Sequence, residues 1–139
     1  MKRVFLDTNI PIYAAGKESE YKKDCLEVLE AIGREEVEGL TSTEVFQEIL
    51  YRFWYLKDIE NGWQIFDNFR EVISQVLPVT EEDISKAREL SEKYKSIKPR
   101  DLLHAAVMIS NQIENIISVD KDFDAISEIN RLDPLTFRP

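Results

Sequence analysis

Apolar positions along the chain form short runs that alternate with helical stripes. Val4, Phe5 and Leu6 follow a basic start, so Arg3–Leu6 reads as a short buried strand with Asp7 just past its end. Thr8 and Asn9 are capping types, and Pro11 suits the first positions of a helical turn behind them. Between Glu20 and Gly33, residues Cys25, Val28, Leu29 and Ile32 recur at i, i+3, i+4 and i+7, predicting an amphipathic helix that stops at the glycine. Glu38–Thr41 predicts a second strand. Ser42 or Thr43 then caps a helix to about Leu56, with Val45, Phe46, Ile49, Leu50, Phe53 and Trp54 as its apolar set. Ile59–Ser74 predicts another helix, rich in aromatics (Trp63, Phe66, Phe69). Val76–Val79 predicts a strand that Pro78 confines to an edge or an end.

Thr80 with Asp83 three residues on resembles a capping box for a helix using Ile84, Ala87, Leu90 and Tyr94. Pro99 opens a helix to about Gln112 whose apolar residues wrap nearly all sides, as expected of a deeply buried element. Ile116–Val119 and Ile129–Leu132 complete the strands. Short strands alternating with helices predict an α/β fold: a three-layer α/β/α sandwich around a short, mainly parallel sheet, with right-handed crossovers.

The 139 residues fit one domain, 1–139, and the 43% hydrophobic content argues against disorder. No apolar run nears the roughly 18 residues needed to span a bilayer, and the short apolar start meets Asp7 too soon for a signal peptide. Cys25, the only cysteine, excludes an intrachain disulfide and a thiolate zinc site, so the cytoplasm is the expected compartment. The net charge of −9 should repel nucleic acid unless some acids gather to hold cations.

Position favours gathering. Asp7 and Asp120 both fall at the C-terminal ends of predicted parallel strands, where open α/β sheets bind ligands. Asp101 lies in the first turn of the buried helix, and Glu48 flanks the apolar face of the helix after the second strand. Taken singly, Asp101 could be a helix-dipole charge, Asp7 and Asp120 turn acids, and Glu48 a solvated side chain. Together they form a candidate anionic site. Two carboxylates about 4 Å apart repel by roughly 4 kcal/mol at an effective dielectric of 20, so protons or divalent cations must neutralise such a site. Oxygen ligands favour Mg²⁺ or Mn²⁺ over zinc.

The chain resembles the PIN domain family, and within it the VapC toxins of VapBC toxin–antitoxin pairs. Four motifs carry the resemblance: Phe5–Asn9 (apolar-Asp-Thr-Asn), Ser42 six residues before Glu48, Pro99–Ala106 (Pro-Arg-Asp-Leu-Leu-His-Ala-Ala) and Ser118–Phe123 (Ser-Val-Asp-Lys-Asp-Phe). It implies a PIN-like fold. It also implies a quartet of Asp7, Glu48, Asp101 and Asp120 that binds divalent metal and hydrolyses RNA phosphodiester bonds. Asn9 and Ser118 match polar helpers that orient the acids, and Thr8 matches the motif with a less defined role. Glu44 rivals Glu48 for the second acid, and Asp122 and Asp124 are outer ligands or loop-shaping residues. Lys98, Arg100, Arg52 and Lys121 lie beside the motifs as candidate RNA contacts. His104, inside an almost wholly apolar helix, reads as a satisfied core histidine rather than a general base.

Phe46, Phe53, Trp54, Tyr55, Trp63, Phe66 and Phe69 mostly suit a core. Their excess over one stripe predicts an apolar surface for a homodimer or an antitoxin protein, both of which the resemblance implies. Three other functions compete. A haloacid-dehalogenase-type phosphatase would want an aspartate where Asn9 stands. A response-regulator receiver lacks its early acidic pair. The third is a noncatalytic binding or scaffold module.

Overall fold

A computed structural model describes residues 1–139. Its elements run β1 (Arg3–Leu6), α1 (Asn9–Ala15), α2 (Lys22–Gly33), β2 (Glu38–Ser42), α3 (Thr43–Tyr55), α4 (Ile59–Val72), β3 (Gln75–Leu77), α5 (Glu81–Lys93), α6 (Pro99–Ser110), β4 (Asn115–Ile117), a 3-10 turn (Lys121–Ala125) and β5 (Asn130–Leu132). The five strands form one sheet in the order β3-β2-β1-β4-β5, with every pairing parallel.

Strand alternation separates the layers. Val4 pairs with Gly39 and Phe5 with Leu40, so these two rows point to opposite faces. A Cβ on Gly39 would meet the Ile32 side chain of α2, whereas the Phe5 ring sits 5.7 Å from the His104 ring of α6. Helices α2 and α6 therefore cover opposite faces. Helix α1 packs on α2, α4 touches α1, α2 and α3, and α5 packs on α6. This is the expected three-layer sandwich. One cluster of 32 buried apolar residues, including Phe5, Leu6, Leu40, Ile49 and Leu102, fills it.

Because β1 leads to β2 on one side and pairs with β4 on the other, the sheet changes direction between β1 and β4. That crevice is where parallel sheets place ligands. Both outer strands are only three residues long, and β3 ends at Leu77, before Pro78. Strand β4 stops at Ile117, two residues earlier than the apolar run suggested. Ser118 and Asp120 thereby fall outside the strand, and Asp120 caps the 3-10 turn by accepting from the Asp122 amide.

Two apolar positions depart from their helical patterns. The capping box of α5 forms as expected, and Asp83 also accepts from Ser110 Oγ at 2.6 Å and is buried against α6. Ala87, Leu90 and Tyr94 pack against the core as expected, but Asp83 takes the inward place at the first turn and Ile84 is exposed. On α3, Trp54 is likewise exposed rather than part of the core.

Helices α3 and α4 approach closely at Gly62, where a Cβ would lie 2.6 Å from Phe53 Cβ. Phe53 Cβ is fixed to the backbone and cannot swing aside. Alanine at this position gains about 1 kcal/mol of helix propensity but incurs an overpacking cost of about 1–3 kcal/mol. Gly62→Ala should therefore lower the urea midpoint, with a net loss of up to about 2 kcal/mol. An unchanged or higher midpoint would show that α3 and α4 part freely.

Candidate active site

Asp7, Glu48, Asp101 and Asp120 line one cleft of about 440 Å³ beyond the C-terminal ends of the strands, together with Thr8, Asn9, Ile12, Tyr13, Tyr51, Arg52, Tyr55 and Arg100. Four segments remote in sequence supply the acids: the end of β1, the middle of α3, the first turn of α6 and the loop after β4.

Asp7 is 6% exposed and held on both oxygens. Oδ1 accepts from the Thr8 amide at 2.7 Å, and Oδ2 accepts from Ser118 Oγ at 2.6 Å and Asn9 Nδ2 at 3.1 Å. Ser118, fully buried, also accepts from the Asp120 amide at 3.0 Å, and Asn9 Oδ1 accepts from the Val119 amide. Asn9 and Ser118 thus lock the two strand ends together. Burial raises the Asp7 pKa, and His104 with the Ser118 and Thr8 hydrogen bonds only partly offsets it.

Thr8 donates to Glu48 Oε2 at 2.5 Å. Around Glu48 Oε1 lie His104 Nε2 at 2.9 Å and Arg100 Nε at 3.5 Å. Burial opposes ionisation of Glu48, but His104, Thr8 and Arg100 together hold its pKa below the usual value. Glu44 lies outside the cleft lining, and burial and the Glu48 charge raise its pKa. Of the two glutamates, only Glu48 lines the cleft.

His104 is not the satisfied histidine its apolar helix suggested. It is fully buried, Nε2 lies 3.8 Å from Asp7 Oδ1, and neither ring nitrogen makes an aligned hydrogen bond. Burial disfavours its charged form, yet the Glu48 contact and the Asp7, Glu48 and Asp101 charges outweigh it and raise its pKa. The signal was the three-residue spacing from Asp101, which places both on one helix face.

Asp101 is also undercompensated. Burial, then repulsion from Asp7 and Asp120, pushes its pKa up to about 6. Its Oδ2 and Glu48 Oε1 are buried without aligned hydrogen-bond donors. Ligand atoms of Asp101, Asp120 and Asp122 lie within 4.8 Å of one another, and so do those of Asp7, Glu48 and His104. Orphaned carboxylate oxygens in a mainly oxygen donor set fit a hard divalent cation.

The remaining candidates divide. Arg52 and Arg100 line the cleft, whereas Lys98 at the α6 cap and Lys121 in the 3-10 turn are exposed outside its lining. Asp124 forms a two-point pair with Arg131 at 2.9 and 3.2 Å, and Arg131 also donates to the Ser118 carbonyl at 3.0 Å, so Asp124 shapes the loop. Tyr51 and Tyr55 were not among the expected site residues. They follow Glu48 by three and seven positions, a spacing that places them on its face of α3.

The chain matches the PIN domain over residues 4–129. It is 34% identical over 129 residues to a VapC ribonuclease of Mycobacterium bovis and to ribonuclease VapC13 of Mycobacterium tuberculosis, covering 93% of this chain and 98% of each relative. Among solved structures, DNA-bound VapBC from Salmonella typhimurium aligns with a TM-score of 0.75 and 19% identity, covering 96% of this chain and 99% of that one. The sarcin–ricin-loop-cleaving toxin VapC20 of Mycobacterium tuberculosis aligns at 0.74 with 18% identity, over 89% and 95%. These structural likenesses establish the shared fold. The chain belongs to the PIN domain family and, within it, to the VapC ribonucleases.

Proposed function

We propose that this protein is a metal-dependent ribonuclease that hydrolyses RNA phosphodiester bonds as the toxin of a toxin–antitoxin pair. One observation carries the proposal: Asp7, Glu48, Asp101 and Asp120 converge on one cleft, and Asp101 Oδ2 is buried there without a hydrogen-bond donor. Mg²⁺ or Mn²⁺ is the proposed cofactor, held by these four acids. When bound, the cation supplies acidity to water and positive charge for a phosphate.

The chain's own residues do the rest. Thr8, Asn9 and Ser118 fix the carboxylates of Asp7 and Glu48, so their arrangement is set before substrate arrives. Asp101, whose pKa burial and the charges of Asp7 and Asp120 raise, would ionise fully once a cation is held beside it. Arg100 and Arg52 stand at the cleft to take phosphate oxygens. His104 balances the inner pair from below.

The antitoxin is proposed to occupy an apolar groove of about 360 Å³ between α1, α2 and α4, lined by Pro11, Ala14, Leu26, Leu29, Ile65 and Phe69 among others. An antitoxin arginine reaching the anionic cleft would complete the inhibition. Trp54, Leu56 and Trp63 are exposed and suit a homodimer contact. No helix is long and apolar enough to cross a membrane. We place the activity in the cytoplasm, with the RNA.

Three outcomes are expected. RNA is cut in Mg²⁺ or Mn²⁺, and EDTA or Asp7→Asn abolishes cleavage. Cleavage surviving both sinks the metal mechanism. Ser118→Ala lowers metal affinity about 10–100-fold by isothermal titration, as loss of an orienting partner does elsewhere.

The second outcome follows from Asp101, whose pKa rises from 3.8 to about 6, so ionising it costs stability as pH climbs through that interval. In EDTA, Asp101→Asn should therefore raise the melting temperature at pH 7.5 and leave it unchanged near pH 4. In the unmodified protein Mn²⁺ should stabilise more at pH 7.5 than at pH 5, because protons compete below about 6. Equal metal stabilisation at both pH values would contradict the Asp101 assignment.

Third, sedimentation at high concentration should give a dimer that Trp63→Ser weakens. A clean monomer removes the homodimer proposal.

A further inference from the structure

We propose that Arg131 is a positioning residue for the acid cleft: from the edge strand β5 it grips both ends of the loop that carries Asp120 and Asp122, so that their carboxylates are held beside Asp101 before a cation arrives. The inference rests on the metal-dependent ribonuclease proposal and deepens it by naming what fixes that part of the site. Arg131 lies outside the cleft lining, and its side chain is only 10% exposed. All three guanidinium nitrogens are engaged. Nη1 donates to the Ser118 carbonyl at 3.0 Å, while Nε and Nη2 donate to the two carboxylate oxygens of Asp124 at 2.9 and 3.2 Å. Asp133 stands 3.7 Å from Nη1 as a second counter-ion.

Both acids lie between the two gripped residues, Ser118 and Asp124. Within that interval the Asp120 amide donates to Ser118 Oγ at 3.0 Å, and Asp120 Oδ1 accepts from the Asp122 amide at 2.9 Å. The aim of the Asp120 carboxylate therefore follows the path of the loop backbone. Ligand atoms of Asp101, Asp120 and Asp122 lie within 4.8 Å of one another. Ionised, these groups repel, and a loop free to yield would open the cluster. A fork that fixes both ends resists that opening and keeps the donors in place for a cation. Strand β5 does not depend on the arginine for docking, because its backbone pairs with β4 along Asn130–Leu132. The task does need an arginine. Its planar fork takes a carboxylate at two points while a further N–H reaches a carbonyl, whereas lysine offers a single point charge.

The test uses the full chain, first metal-free in EDTA. Hydrogen–deuterium exchange followed by mass spectrometry should show faster exchange over residues 118–126 in Arg131→Lys and in Asp124→Ala, with β1 and α6 exchanging as before. With EDTA removed, Mn²⁺ affinity measured by isothermal titration should fall about 10–100-fold in Arg131→Lys, the range for losing a partner that orients a ligand. Asp124 is 53% exposed, so Asp124→Ala should fold normally; it removes one grip, and its loss of affinity should be real but smaller. In the double variant the two losses should combine to less than their product, because both substitutions break one contact.

Normal Mn²⁺ affinity in either folded variant overturns the inference. So does exchange that quickens throughout the sheet as well as in the loop, since the arginine would then be a strap for the fold and not for the acids. Neither result touches metal binding or RNA cleavage by the unmodified protein, so the ribonuclease proposal survives both. Conversely, Arg131-dependent Mn²⁺ binding in a protein that cuts no RNA would overturn the ribonuclease proposal and leave the clamp standing.

Discussion

A carboxylate taken out of water is costly unless donors surround it, and Asp7 is nearly out of water at the centre of the sheet edge. Much of the surrounding architecture answers that cost. The chain turns immediately after β1 so that the Thr8 amide reaches Oδ1, and Asn9 and Ser118 close on Oδ2. Ser118 directly follows β4, and its amide still donates to the Leu132 carbonyl of β5 at 3.3 Å while its hydroxyl turns to Asp7. Arg131 on β5 holds the segment beyond by the Ser118 carbonyl and by Asp124. The residues around the desolvated Asp7 are thus tied to both β1 and β5.

The acids of the site are compensated to different degrees. Glu48 has His104, Thr8 and Arg100, and its pKa falls below the usual value. Asp7 has the His104 charge and hydrogen bonds from Ser118 and Thr8, yet burial prevails and raises its pKa. Asp101 meets burial and repulsion from Asp7 and Asp120, which His104 and Arg100 only partly offset. Unfavourable charge is thus concentrated at Asp7 and Asp101, beside the place a cation would take. Had all four acids been paired internally, little free energy would be left for a metal to recover.

Much of this was legible in the sequence. Asp7, Asp101 and Asp120 each sit at a point marked by periodicity: past a buried strand, in a proline-opened first turn, or at the end of an apolar run. The layer order followed from alternation of strands and helices. What stayed hidden depended on contacts between segments. Ile84 matched an apolar stripe as well as its neighbours did, but Asp83 gained both a cap and Ser110, and it took the inward place at the start of the helix. His104 lay in apolar company along its own helix, and its polar neighbours arrive from β1 and α3. Tyr51 and Tyr55 share the face of Glu48, yet an aromatic beside an apolar stripe reads as core until the layer above it is known to be solvent.

The net charge of −9 is compatible with an RNA-cutting site because charge acts locally. At roughly 0.15 M salt, fields from the distant acidic helices fade over about 8 Å, whereas groups lining one cleft act within that range. There four acids outnumber Arg52 and Arg100, and a bound divalent cation would offset the excess. An acidic surface disfavours indiscriminate adhesion to nucleic acid, so any attraction for a phosphate has to come from the cations gathered at this cleft.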